Sequence, residues 1–151
     1  MKQLRKFLKL SGSDRHLLAI TLILLGAMRL GLFFLTFRNL LKLLQKIDKQ
    51  NVRFPFETHG SQISVGKIVW AVNVGTRYMP GGAKCLARAL TTQFLMNRYG
   101  YSCELRIGVA KEKGGQLEAH AWIEYQGRVA IGNLPELSRF IPLPSLEGVK
   151  L

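Results

Sequence analysis

Residues 117–133 read LEAHAWIEYQGRVAIGN. Two strand-like runs, Leu117–Tyr125 and Arg128–Asn133, are separated only by Gln126 and Gly127. A two-residue loop with Gly second predicts a tight β-hairpin. Such a turn pairs Tyr125 with Arg128 and fixes everything behind it. Glu124 then faces Val129, Ile123 faces Ala130, Trp122 faces Ile131, Ala121 faces Gly132 and His120 faces Asn133. Opposed residues share a face with Cβ atoms about 4.5–5.5 Å apart, so the Asn133 amide would hold the His120 imidazole in one tautomer. Trp122 falls on the same face, either as a cover over the pair or as core. Glu118 and Glu124 also lie on that side, and either would take over the orienting role if the register slipped by two.

Upstream, Cys103–Ala110 (CELRIGVA) alternates and predicts another strand. Before it comes GGAKCLARALTTQFLMNRYG, with Leu86, Ala89, Leu90, Phe94 and Leu95 at helical spacing and Gly100 as the stop. Cys85 therefore opens a helix, where the positive end of the helix dipole, with Lys84 and Arg88 nearby, favours negative charge and nucleophilic attack. A helix over Ser61–Tyr78, with Ser61 as N-cap, ends before Pro80. Taken singly, Cys85 would be a small buried residue, His120 a strand histidine and Asn133 a strand end. Together they supply the thiol, base and orienter that a Cys-His-Asn set requires. Cys103 has no neighbouring base and reads as structural, and His16 and His59 have no chemical context. Two cysteines make neither a disulfide scaffold nor a zinc site, so no metal or cofactor is expected, and a reducing compartment is.

The N-terminal third is different in kind. Residues 1–53 carry eleven basic and two acidic side chains, a surplus of nine, whereas the remaining residues carry eleven and seven. No nucleic-acid-binding motif accompanies the charge, so nucleic acid is not an expected partner, while an anionic membrane surface or an acidic partner is. Leu17–Phe37 is long enough to cross a bilayer and is broken among charged types only by Arg29. Leu40–Lys49 is amphipathic with a basic face. The alternative is a helical hairpin, turning near Thr36–Asn39, packed on the rest of the chain or on a partner. The apolar run is followed by no small-residue cleavage motif, so export by a cleaved signal is not expected. With 48% hydrophobic and 21% charged residues, wholesale disorder is excluded. The organisation expected is a basic helical region over 1–53, a linker over 54–60 and one α+β domain over 61–151.

CLARAL, LRIGVAKEKGG and EAHAWIEYQGRVAIGN resemble the C-terminal leader-peptidase domain of lasso peptide biosynthesis B proteins, a branch of the transglutaminase-like cysteine peptidases. The resemblance covers about residues 61–140 and is strongest at Cys85-Leu86, Gly108-Val109 and Ala119-His120-Ala121-Trp122. It implies a papain-like core in which the helix bearing Cys85 packs on an antiparallel sheet bearing His120. It implies Cys85 as nucleophile and His120 as base, and it puts Asn133 where the family usually has Asp. The implied substrate is the leader of a precursor peptide. The implied partners are a separate leader-binding protein and a macrolactam-forming synthetase. The expected setting is the cytoplasm, with residues 17–37 as a membrane contact. Two other readings compete: acyl transfer to an amine on the same core, and a silent scaffold that binds a peptide along its sheet edge.

Overall fold

The structure, a computed structural model, describes residues 5–6, 8–49, 62–81 and 85–144. Among the described residues, four helices, α1 (Gly12–Phe34), α2 (Phe37–Lys49), α3 (Val65–Tyr78) and α4 (Cys85–Arg98), accompany four strands, β1 (Glu104–Lys111), β2 (Leu117–Tyr125), β3 (Arg128–Ile131) and β4 (Ile141–Pro142). The fold is α+β, with an antiparallel sheet in the order β3-β2-β1-β4. The expected linker 54–60 lies outside the described residues, as does Ser61. The first turn of α3 is capped instead by Ser64, whose hydroxyl accepts from the Lys67 N–H at 3.3 Å.

α4 is the central element. One side packs on β2, β1 and β3, the other on α1 and α3. It closes on Gly100, with the Tyr101 N–H donating to the Met96 carbonyl at 2.8 Å and the Gly100 N–H to that of Asn97 at 3.1 Å, the two bonds of a Schellman stop. Leu105, Ala121, Ile123 and Ile131 of the sheet join Leu90 and Met96 of α4, Ile68 and Val72 of α3, and Leu17, Leu25 and Met28 of α1 in one apolar cluster.

α1 is therefore a core helix on one face. Leu17, Leu18, Thr21, Leu25 and Met28 recur at helical spacing and are all buried. Gly75 of α3 receives Leu25, since a Cβ there would lie 2.9 Å from Leu25 Cδ1. Asp14 and Lys67 tie the same two helices with a 2.7 Å ion pair, which holds the Asp14 carboxyl below its ordinary value. Arg29, the charge that interrupts the apolar run, donates to the Pro80 carbonyl just beyond α3. α1 is also long and apolar enough to cross a membrane, and 28% of its most apolar window is buried in the fold. Its other face exposes Ile23, Leu30, Phe33 and Phe34. The break before α2 falls at Leu35–Thr36, a little ahead of the expected turn, and α2 buries Leu40 and Leu41.

Removing side chain from a fully buried, well-contacted position costs about 2–5 kcal/mol. Leu25→Ala is accordingly expected to lower the denaturation midpoint of the whole chain, followed by tryptophan fluorescence in urea. An unchanged midpoint would mean that α1 does not fold with the helices bearing Ile68 and Leu90.

Candidate active site

The hairpin forms where the spacing places it. Gln126 and Gly127 take φ of 49° and 73°, the pair of positive values that a type I′ turn requires. Tyr125 pairs with Arg128 and Glu124 with Val129, as expected. The next pair corrects the expected register: Ile123 faces Ile131, not Ala130. One extra residue on β3, Ala130, makes a bulge and moves every later residue by one place. Gly132 comes level with Trp122, so close that a Cβ on it would lie 2.9 Å from Trp122 Cβ and 2.8 Å from the Ala121 carbonyl oxygen. The direct His120–Asn133 pairing is lost. Asn133 is exposed, and among the described residues no hydrogen bond joins it to His120.

A backbone group does what Asn133 was expected to do. His120 Nε2 lies 2.6 Å from the Gly132 carbonyl oxygen. A carbonyl only accepts, so Nε2 carries a proton, and in the neutral ring the lone pair falls to Nδ1. The ring is further held by two aromatic neighbours. Trp122 stacks at 6.1 Å between centroids with planes 18° apart, and Phe140 approaches at 5.5 Å. Trp122 is 3% exposed and packs with Ala110 and Phe140 in a second apolar cluster, on the sheet face away from Ala121 and Ile123. It serves as core and as a wall for His120 together.

The two glutamates that share this face are engaged elsewhere. Glu124 accepts from Trp122 Nε1 at 3.0 Å and from Arg106 Nε at 3.4 Å, and Glu118 pairs with Arg139 at 2.6 Å. Neither orients His120.

Where β3 stops, a cleft of about 260 Å³ opens between the sheet and the helical layer, lined by Asn73, Arg88, His120, Ala130, Ile131, Gly132, Asn133 and Leu134. His120 and Asn133 thus share a cavity without sharing a bond. Cys85 begins α4, is half-buried and packs against the main apolar cluster, outside that lining. Arg88, one turn along the same helix, connects the two: it lines the cleft and is electrostatically coupled to Cys85. Its Nη2 donates to Asn73 Oδ1 of α3 at 2.7 Å. Burial holds the guanidinium's pKa below its ordinary value, and a negative Cys85 opposes that shift. No hydrogen bond joins Cys85 to His120 in this conformation among the described residues. Nor, among them, do three His, Cys, Asp or Glu side chains gather as a metal site.

Gly132 and Asn73 escaped the sequence reading. A glycine just beyond a short strand run is the signal that marks a bulge or a close backbone approach, and Gly132 carries it. Asn73 has no local mark; only the packing of α3 on α4 makes it matter.

The family model of the transglutaminase-like superfamily matches residues 31–145. The chain belongs to that superfamily. No curated protein and no solved structure matches it. The transglutaminase-like region takes in α2 and the last turn of α1 together with the helices and sheet that frame the cleft. The transglutaminase-like superfamily commonly has cysteine-dependent catalysis and includes cysteine peptidases and acyltransferases. Because, among the described residues, no hydrogen bond joins the Asn133 side chain to the ring, Asn133→Ala is expected to change the rate of any Cys85-dependent reaction by less than about threefold. A loss of a hundredfold or more in a cleavage assay would restore Asn133 as the orienting residue.

Proposed function

We propose that the chain is a cytoplasmic cysteine peptidase that removes the leader from a ribosomally made lasso-type precursor peptide. The observation that carries the reading is the His120 Nε2–Gly132 carbonyl bond, which leaves Nδ1 as a base in a cleft shared with Arg88, one helical turn from Cys85. Base and thiol close on one another when substrate enters, as catalytic hydrogen bonds that are long in the empty site often do.

In the proposed mechanism His120 Nδ1 takes the Cys85 proton and the sulfur attacks the carbonyl carbon at the leader–core junction. The Cys85 N–H at the helix start donates to the oxyanion. The C–N bond breaks, the imidazolium gives its proton to the amine of the departing core, and the leader stays on Cys85 as a thioester. Water, losing its proton to the same nitrogen, then hydrolyses the thioester and restores the thiol.

The leader is brought by a separate leader-binding protein, and a macrolactam-forming synthetase takes the core. The exposed apolar face of α1, beside the exposed Arg38, Lys42 and Lys46 of α2, is proposed as their docking surface or as a contact with anionic membrane. Acyl transfer on the same core differs in one respect, since an amine instead of water resolves the thioester. Incubating the chain with leader-binding protein and precursor, and weighing the products, tests the reading. Leader ending in a free carboxylate is the result expected; leader joined to an amine would move the chain to the acyltransferases.

A further inference from the structure

Several cations in the fold meet carboxylates. Lys67 meets Asp14, Arg106 meets Glu104 and Glu124, and Arg139 meets Glu118 and Glu136. Arg88 differs. Among the described residues no carboxylate pairs with it, its bond to Asn73 is to a neutral amide, and its Nε is buried without an acceptor. A guanidinium offers five N–H donors, and burying a cation with donors unanswered is costly unless a charge answers it. The cost is met at a particular place, in the wall of an open cleft beside His120 and one turn from Cys85. The planar fork of an arginine matches a carboxylate better than any other common biological group except phosphate.

We propose that Arg88, steadied by Asn73, makes this cleft a carboxylate subsite, so that the acyl substrate of Cys85 carries an acidic side chain or a free carboxylate next to the bond attacked. The substrate half of this inference rests on the peptidase reading; the anion-binding half does not.

Two alkylating reagents of nearly equal shape separate the charge effect from reactivity, iodoacetate being anionic and iodoacetamide neutral. The full-length chain is treated with each, and modification at Cys85 and Cys103 is read by peptide mass, Cys103 serving as the internal reference. The preference for iodoacetate over iodoacetamide is expected to be about tenfold greater at Cys85 than at Cys103. Arg88→Met abolishes the difference and Arg88→Lys retains part of it. Succinate is expected to slow alkylation of Cys85 by iodoacetamide in the parent chain and not in Arg88→Met. Equal preference at both cysteines of the parent chain overturns the proposal, and so does a folded Arg88→Met with the parent's preference. If Arg88→Met does not fold, the parent chain's two cysteines and the succinate protection decide the matter without it. A chain that shows the preference yet leaves the precursor uncut removes the peptidase reading and keeps the subsite. A chain that cuts the precursor without the preference does the reverse.

Discussion

His120→Ala is expected to lower the rate of leader release by about a thousandfold, within the range that loss of a positioned general base costs. The expectation follows from tautomer and placement. With Nε2–H committed to the Gly132 carbonyl at 2.6 Å, Nδ1 is free to take a proton. Removing the ring also leaves a gap beside Trp122 and Phe140, so stability is to be followed beside activity. His120→Gln separates the two effects: its amide can still donate to the Gly132 carbonyl and fill part of the gap, but it has no basic nitrogen. It is expected to unfold at nearly the parent's denaturant concentration and to be as inactive as the alanine variant. A glutamine variant that kept a tenth or more of the parent rate would show that His120 is not the base.

Gly132→Ala is the second large effect. Gly132 has φ of +87°, a backbone state that residues with a Cβ rarely adopt, and the added Cβ would stand 2.8 Å from the Ala121 carbonyl oxygen and 2.9 Å from Trp122 Cβ. Backbone atoms of a paired strand cannot yield as the tip of a flexible side chain can. The contrast is Gly75, where a Cβ would meet side-chain atoms alone, Leu25 Cδ1 at 2.9 Å and the tips of Leu22 and Thr21 at 3.6 Å. Strain and collision together are expected to cost about 2 kcal/mol or more of stability. Whatever chain remains folded would carry a displaced carbonyl at 132 and so a loosely held imidazole. Urea unfolding with Asn133→Ala measured in parallel gives the check: a large loss at 132 and little change at 133. Equal effects at the two positions would contradict the assignment of the carbonyl as the orienting group.

These two positions also mark how far the sequence could be read. Gln126-Gly127 dictated the turn, and with it the first two pairs of the hairpin, because both residues must take positive φ there. The bulge at Ala130 obeys no periodicity. It is set by the packing of Ile131 into the main cluster and by the room that a residue without a side chain leaves beside Trp122. A slip of one place, too small to alter the choice of strands, was enough to exchange a side-chain partner of His120 for a backbone one. The N-terminal run shows the opposite limit. An apolar stretch the length of a span and a helix buried on one face have the same composition, and the difference lies in α3 and α4, against which Leu17, Leu25 and Met28 pack. Arg29, a charge costly inside a bilayer, is tied to Pro80, a contact across 51 residues that no local pattern announces.

The claim on which the rest depends is that Cys85 carries the leader as a thioester. Acid-quenching the chain early in its reaction with precursor and leader-binding protein, then weighing its proteolytic fragments, reads this directly. The fragment containing Cys85 is expected to gain the mass of the leader less one water, and Cys85→Ala is expected neither to gain it nor to release leader. Leader released at the parent rate by Cys85→Ala, with the fragment's mass unchanged throughout in the parent chain, would contradict it.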